Sequence, residues 1–196
     1  IDGMDGAASG ISLIALSVCA YIFHFYGQYD LMLISLVFVG ALLGFLIFNF
    51  NPAKIFLGDT GSLLLGFILA LFATKAPSLN TPTGAHFINS CSIAVSISIL
   101  FYPLLDMALA LIRRTAKGSS IFRPDKSHIH HKLLIYFSWN SKICALFIYF
   151  LGICGGLCAI MIFNRNTEGL IGAGLLYLGI LVFIFQKFQY RESISN

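Results

Sequence analysis

Long apolar segments separated by short polar ones dominate the pattern of this sequence. Six of them approach the length of about 20 residues that a helix needs to cross the hydrocarbon core of a membrane. We predict six spanning helices: Ile11–Tyr29, Leu31–Phe50, Gly61–Ala76, Phe87–Ile112, Ile143–Phe163 and Leu170–Phe188. Pro103 lies inside the fourth and is expected to kink it, because proline lacks the backbone N–H that a helix interior uses.

The composition excludes a water-soluble protein. Of the 196 residues, 58% are hydrophobic and only 10% are charged, whereas soluble domains average about 25% charged residues. So few charges do not cover a soluble surface of this size, which argues against a soluble enzyme, a disordered regulator and a nucleic-acid-binding domain. The sequence therefore predicts one all-α, polytopic membrane domain over residues 1–196, with no nucleic-acid partner.

Basic residues are distributed unevenly among the polar connections. Of the 12 Lys and Arg residues, only Lys75 and Arg165 fall on one side if successive connections alternate. The positive-inside rule then places the other side in the cytoplasm, with loops at about 1–10, 51–60 and 113–142. An active site assembled from three loops at one membrane face has this pattern, whereas a transporter more often places ionisable residues at mid-membrane.

Two carboxylates, Asp2 and Asp5, lie three residues apart near the beginning of the chain. If this segment is helical, both lie on one face and are able to share a cation or to flank a phosphate through it. The alternative interpretation is an acidic helix N-terminus, where carboxylates interact favourably with the helix dipole.

The segment 51–62 combines glycines, an acid and a base just before the third predicted span. A helix N-terminus binds anions, and Asp59 beside it favours a phosphate carried on Mg²⁺ over a bare one. The alternative is a reverse turn with Thr60 or Ser62 as the helix cap. That alternative does not account for Lys54 together with Asp59.

A third cluster, at 123–132, combines histidines with basic residues. Its chemically distinctive side chains are Arg123, Asp125, Lys126, His128, His130, His131 and Lys132. Histidines at this spacing are compatible with zinc, but the basic neighbours disfavour a dication and favour several phosphate oxygens. Attraction to anionic lipid headgroups is the remaining interpretation.

An acidic residue, Asp106, lies inside the fourth predicted span. A carboxylate within a membrane span is a hypothesis of function by default. Pairing with Arg113, about two turns further along the same helix, explains it equally well.

Taken in order on one side, the three clusters resemble the polyprenyl-phosphate N-acetylhexosamine-1-phosphate transferases of glycosyltransferase family 4. The motifs are Ile-Asp-Gly-Met-Asp-Gly, Asn-Pro-Ala-Lys-Ile-Phe-Leu-Gly-Asp-Thr-Gly-Ser-Leu and Arg-Pro-Asp-Lys-Ser-His-Ile-His-His-Lys-Leu. The resemblance covers the chain from Ile1 to about Leu134, and the last two spans agree only in hydropathy. The form His-Ile-His-His is similar to the N-acetylglucosamine branch that serves surface polysaccharides.

The resemblance implies transfer of N-acetylhexosamine 1-phosphate, preferentially N-acetylglucosamine 1-phosphate, from a UDP-sugar to polyprenyl phosphate. UMP is released, Mg²⁺ (or Mn²⁺) is the cofactor, and the product starts a lipid-linked polysaccharide such as an O-antigen of lipopolysaccharide or a teichoic acid. It also implies a bacterial inner-membrane enzyme, facing the cytoplasm, that forms a homodimer. The alternatives are the phospho-muramyl-pentapeptide transferase of peptidoglycan synthesis and a secondary or metal transporter.

The resemblance also assigns roles to single residues. Asp59 matches the metal-binding acid of the family, and Asp2 and Asp5 match its paired acids near the sugar-nucleotide diphosphate. Together with His128, these three are the expected catalytic residues. The expected substrate-binding residues are Asn51, Lys54, Arg123, His128, His130 and His131.

The family carries an adjacent Asp pair in an earlier cytoplasmic loop, and the sequence does not contain this pair. We therefore expect the chain to be the C-terminal part of a longer transferase and to be inactive by itself. The lipid tail is expected in a groove between spans, near Gly40, Gly44 or Gly66.

Overall fold

The computed structural model describes residues 4–78, 93–116 and 140–164, together with four single positions in the last predicted span (172, 175, 177 and 179). In this part of the chain the structure consists of α-helices joined by turns and loops, without a β-strand. The prediction of an all-α protein is confirmed.

The described helices follow the predicted spans. They are α1 (Ala7–Phe25), α2 (Tyr29–Asn49), α3 (Gly58–Ser78), α4 (Ile93–Ile99), α5 (Phe101–Ala116) and α6 (Ser141–Phe163). In the described segments, α1, α2, α3 and α6 are each long and apolar enough to cross a membrane, and the bent pair α4–α5 brings the number to five if it is one span. The sixth predicted span, Leu170–Phe188, lies outside the described residues except for the single positions named above.

Helix α1 ends four residues earlier than predicted, and a glycine explains the difference. Gly27 has the left-handed φ of +67°, its N–H donates to the carbonyl of His24, and the N–H of Gln28 donates to the carbonyl of Phe23. This pair of bonds is the Schellman arrangement, which terminates helices at glycine. The turn to α2 is therefore set by a local signal that hydropathy alone does not show.

The fourth predicted span is broken more sharply than a proline kink. Helices α4 and α5 meet at Leu100 at an angle of 88°. Pro103 lies in the first turn of α5 and not at the bend, so the expectation of a kink at Pro103 is wrong in its position. The reason is that a proline in a first helical turn lacks only an N–H that has no partner within that helix.

Helix α1 is the most buried of the described spans and packs against α2, α3 and α6. Its side chains Leu16, Ile22 and Phe23 are completely buried. Helix α6 lies close to its neighbouring helices because it carries small residues where it contacts them. A Cβ at Gly155 would lie 2.7 Å from the carbonyl oxygen of Ser98 in α4, and close backbone approach through small residues is the usual way that membrane helices pack.

Candidate active site at one end of the bundle

The beginning of α1, the end of α2 and the loop before α3 meet at one end of the bundle, where the first two sequence motifs lie. The carboxylate of Asp5 joins them. Its Oδ2 accepts hydrogen bonds from Nδ2 of Asn51 at 2.9 Å and from the backbone N–H of Ala53 at 3.1 Å. Bonds to an ionised acceptor are about twice as strong as neutral ones, so this half-buried side chain holds the loop against the turn that precedes α1.

The structure therefore brings together two of the predicted site residues, Asp5 and Asn51. The amide of Asn51 is engaged by the protein itself, which makes it a partner of Asp5 in addition to any contact with substrate. Asp5 lies in a turn, since α1 begins only at Ala7, so the helical placement considered for this acid does not hold. Its second oxygen, Oδ1, accepts no hydrogen bond from the residues that the structure describes.

Asn49, the last residue of α2, forms a second connection between the same segments. Its Oδ1 accepts from the backbone N–H of Gly6 at 3.1 Å and from Oγ of Ser9 at 2.8 Å, and its Nδ2 donates to the carbonyl of Ile55 at 2.9 Å. Asn49 is buried, so these bonds compensate the loss of water around its amide. Sequence reasoning missed this residue, although an amide at the end of a long apolar run was a visible signal.

The turn between Asp5 and α1 depends on Gly6, which has a left-handed φ of +73°. This conformation is costly for residues with a side chain and easy for glycine. The carbonyl of Gly6 accepts a hydrogen bond from the hydroxyl of Tyr149 in α6 at 2.7 Å. The turn is thus held by three helices: its own, α2 through Asn49, and α6 through Tyr149.

Asp59 lies in the first turn of α3 and is exposed to solvent. The helix begins at Gly58, whose φ of +66° is left-handed, so Thr60 and Ser62 lie inside the helix and the expectation that either one caps it is wrong. The hydroxyl of Ser62 donates instead to the carbonyl of Asp59 at 3.1 Å. The structure gives the Asp59 carboxylate no hydrogen bond or ion pair within the described ranges.

Lys54 lies in the loop between α2 and α3, with its side chain exposed. Its backbone N–H donates to the carbonyl of Phe48 at 2.8 Å, which anchors the loop to the end of α2. Two residues later Phe56 exposes 73% of its surface, an aromatic side chain that sequence reasoning did not single out. The loop therefore presents a cation and an aromatic ring in the segment that leads to Asp59.

The remaining predicted site residues lie outside the described residues, so their roles stay predictions. They are Asp2, Arg123, His128, His130 and His131. No three His, Cys, Asp or Glu side chains form a metal-binding group among the residues that are described. Mg²⁺ is usually held by one or two protein carboxylates together with waters and substrate phosphates, and the exposed Asp59 at a helix N-terminus fits that pattern.

A cavity of about 330 Å³ opens between α1, α3 and the bend at Leu100, on the side of α3 that carries Ser62. Its walls are mainly apolar: Ala8, Ile11, Ser12, Leu57, Ser62, Leu65, Gly66, Leu69, Ala70, Leu100 and Pro103. Gly66, one of the three glycines expected to make room for a lipid tail, lies in this wall. Gly40 and Gly44 do not, and α2, which carries them, is largely exposed.

Asp106 is buried in α5, with 3% of its surface exposed. It lies one helical turn after Tyr102, which is also buried. The side chain of Arg113 lies outside the described part of the structure, so the pairing with Asp106 stays a prediction.

Comparison with known proteins identifies the class to which this bundle and its loops belong. Residues 1–76, which contain both motifs that meet at Asp5, match the family described as "Glycosyl transferase family 4". The chain belongs to this family. The relatives described below are named as transferases of sugar phosphates.

Individual relatives narrow the class. The chain is 37% identical over 196 residues to the "Probable undecaprenyl-phosphate N-acetylglucosaminyl 1-phosphate transferase" of Bacillus subtilis, covering 100% of this chain and 51% of the relative. It is 36% identical to the "Decaprenyl-phosphate N-acetylglucosaminephosphotransferase" of Mycobacterium tuberculosis, covering 94% of this chain and 49% of the relative. A "Phospho-N-acetylmuramoyl-pentapeptide-transferase" of Staphylococcus saprophyticus is 34% identical and covers 82% of this chain and 46% of the relative. The chain thus spans about half the length of the curated relatives it matches.

Proposed function

We propose that the protein transfers N-acetylglucosamine 1-phosphate from a UDP-sugar to polyprenyl phosphate and releases UMP. The observation that carries the proposal is the Asp5 carboxylate, which binds Asn51 and Ala53 and so unites the first two motifs at one end of the bundle. The names of the relatives from Bacillus subtilis and Mycobacterium tuberculosis support N-acetylglucosamine phosphate as the transferred group.

In the proposed reaction an oxygen of the lipid phosphate attacks the β-phosphorus of the UDP-sugar. The bond from that phosphorus to the oxygen bridging the α-phosphate breaks, UMP leaves, and a polyprenyl-diphosphoryl sugar forms. A phosphate monoester has a second pKa of about 6, so the nucleophile is mostly dianionic at neutral pH. The protein therefore needs no strong base, and its main task is to bring two anionic groups together.

Asp59 is the residue that would hold Mg²⁺, because its carboxylate is exposed at the beginning of α3. When bound, the metal offsets the charge of the diphosphate and of the departing UMP. The exposed ammonium of Lys54, in the loop that leads to Asp59, would add positive charge where the diphosphate would lie. Asp5 keeps this loop in place through Asn51. Its oxygen Oδ1 accepts no hydrogen bond from the residues that the structure describes, and we infer that it helps to orient the donor.

The cavity between α1 and α3 supports a place for the polyprenyl chain. Its apolar wall begins at Leu57 and Ser62, directly beside the turn that carries Asp59. A lipid tail in this cavity would bring its phosphate to the end of the bundle where the site lies. A mainly apolar wall suits an isoprenoid chain, because contact with the chain leaves few polar groups without a hydrogen-bond partner.

Orientation follows from the same proposal. The site would face the cytoplasm of a bacterial inner membrane, where UDP-sugars are available, and this agrees with the positive-inside rule applied to the sequence. The third loop, with Arg123, His128, His130 and His131, would complete the site from the same side by donating to phosphate oxygens.

The peptidoglycan transferase is the second candidate, favoured by the relative from Staphylococcus saprophyticus. It uses the same chemistry with a muramyl-pentapeptide donor. A transporter is less well supported, because Asp106 is the one acidic or basic side chain that is buried in the part of the chain described.

The test uses membranes that contain the full-length protein, with UDP-N-acetylglucosamine, polyprenyl phosphate and Mg²⁺, and measures UMP release. We expect Mg²⁺-dependent UMP from the wild type and a loss of about 100-fold or more in Asp59→Asn. Asp30→Asn is the matched control, since Asp30 is an exposed acid in the first turn of α2, at the other end of the bundle. UMP formed only with the muramyl-pentapeptide donor would replace this proposal by the second candidate, and no UMP with either donor would refute both.

A further inference from the structure

A tyrosine outside all three motifs reaches the site from α6. The hydroxyl of Tyr149 donates to the carbonyl of Gly6, a residue 143 positions away in the chain, at 2.7 Å. Tyr149 also lies outside residues 1–76, which match the family. Neither the motifs nor the family match therefore assigns it a role.

The ring of Tyr149 lies directly on the backbone of α1. A Cβ added at Gly10 would lie 2.2 Å from Cε1 and 2.6 Å from the hydroxyl oxygen of Tyr149, and a Cβ at Gly6 would lie 2.9 Å from the same oxygen. Distances this short are not tolerated, so the ring occupies space that only glycines leave open. Gly6 and Gly10, at the beginning of α1, thus leave the space that the Tyr149 ring of α6 occupies.

Both hydrogen-bonding groups of Gly6 are engaged by other helices. Its N–H donates to Asn49 of α2 at 3.1 Å. Its carbonyl accepts from Tyr149 of α6 at 2.7 Å, and also from the N–H of Gly10 at 2.9 Å and the hydroxyl of Ser9 at 3.2 Å within its own segment. Asp5 immediately precedes this residue, so the orientation of the Gly6 turn determines where the carboxylate points. That carboxylate in turn holds Asn51 and Ala53.

We propose that Tyr149 is a positioning residue: its hydroxyl holds the Gly6 turn so that Asp5 is oriented toward the loop that leads to Asp59. The consequence for turnover rests on the proposed function, whereas the consequence for the turn does not. If Tyr149 only fills space, a phenylalanine serves equally well, because the ring on Gly10 is unchanged.

The test compares Tyr149→Phe with wild type in the full-length protein. We expect kcat for UMP release to fall about tenfold with the KM for the UDP-sugar changed less than about twofold, since a displaced group costs more in the transition state than in binding. We also expect faster hydrogen exchange at the backbone amides of residues 6–10, where the N–H of Gly10 bonds to the carbonyl of Gly6. Tyr21→Phe is the matched control, because Tyr21 is an exposed tyrosine of α1 without a hydrogen bond in the described structure.

A second variant separates the hydroxyl from general damage to the fold. Gly10→Ala leaves the Tyr149 hydroxyl in the protein, but the added Cβ displaces the ring from α1. This variant is therefore expected to lower kcat as well. Tyr149→Phe should then lower kcat by a smaller factor in the Gly10→Ala background than in the wild type, because the hydrogen bond is already lost.

Any of three results would overturn the proposal. They are a wild-type kcat in Tyr149→Phe, an unchanged rate of hydrogen exchange at residues 6–10 in that variant, and a loss of kcat in the double variant equal to the product of the losses in the two single variants. If the wild type releases no UMP, the proposed function fails, and the exchange measurement alone decides the role of Tyr149. Faster exchange at residues 6–10 in Tyr149→Phe, with no change in Tyr21→Phe, would still support it.

Discussion

Three side chains, Asp5, Asn49 and Tyr149, decide how the segments of the candidate site meet. Asp5 and Asn49 connect the turn before α1 with the loop after α2, and Tyr149 adds α6. Two backbone N–H groups outside the helices obtain their partners in this way, that of Gly6 from Asn49 and that of Ala53 from Asp5. These polar side chains therefore hold the segments together at the place where the reaction is proposed.

Substitution of Asn49 tests whether these side chains stabilise the fold. Asn49→Ala removes the partners of the Gly6 N–H and the Ile55 carbonyl, and it leaves the Ser9 hydroxyl only its longer contact of 3.2 Å with the carbonyl of Gly6. We expect the free energy of unfolding to fall by about 1–3 kcal/mol, because buried polar groups lose their partners. Denaturant unfolding of the full-length protein in detergent measures this change.

The control for Asn49 is Asn164→Ala, at the exposed C-terminal cap of α6. It should change the free energy of unfolding by less than about 0.5 kcal/mol. Equal effects of the two substitutions would show that Asn49 does not hold the site together.

At the scale of elements, glycines in α6 determine how closely this helix approaches its neighbours. A Cβ at Gly155 would meet the backbone carbonyl of Ser98 at 2.7 Å and Cβ of Phe101 at 3.0 Å. A Cβ at Gly152 would come too close only to the end of the Ile11 side chain, at 2.7 Å from its Cδ1, and its contact with Ile14 at 3.5 Å would be an ordinary one. Backbone atoms yield much less readily than the end of a side chain.

The two glycines therefore form a matched pair of variants. Gly155→Ala should lower the free energy of unfolding by about 1–3 kcal/mol, because the bend between α4 and α5 must move away from α6. Gly152→Ala should cost clearly less, since Ile11 is able to adopt another rotamer. Thermal unfolding of both variants checks the order, and a larger loss in Gly152→Ala would contradict it.

The helices themselves were largely predictable, and their boundaries show where hydropathy is insufficient. Helix α6 was predicted at Ile143–Phe163 and is found at Ser141–Phe163, because apolar length alone defines it. The end of α1 depends on Gly27 and the break of the fourth span on Leu100, and both features are set by backbone conformation. Of the candidate site, the types of residue were predictable, but the contact of Asp5 with Asn51 was not.

At the scale of the whole molecule, the turn at Asp5, the end of α2 and the beginning of α3 lie at one end of the bundle. The sequence predicts that this end faces the cytoplasm, because basic residues are concentrated in the connections on that side. The loop between α1 and α2, which includes Gln28, belongs to the opposite end, because the beginning of α1 contacts the end of α2.

Labelling from one side of the membrane tests this orientation. In a full-length protein in which reactive cysteines have been replaced, Lys54→Cys should react with a membrane-impermeant maleimide only after the cells are opened. Gln28→Cys should react in intact spheroplasts, because Gln28 is exposed at the other end. The reverse pattern would place the site outside the cell, where UDP-sugars are not supplied, and would contradict the proposed function.

The membrane class, the spans that became α1, α2, α3 and α6, and the kinds of side chain available for chemistry follow from the sequence alone. These properties depend on apolar length and on local motifs, which a chain carries without reference to its folded state. Resemblance in the motifs also indicated the family that the comparisons found.

The folded structure was needed to show that Asn49 and Tyr149 contact the turn at Gly6, and that Asp5 holds the loop before α3. The bonds concerned join residues 43, 46 and 143 positions apart. Hydropathy does not report such pairs, because each depends on how two or three helices meet at one end of the bundle. The bend at Leu100 and the cavity beside Ser62 arise in the same way, from the packing of helices and not from any single segment.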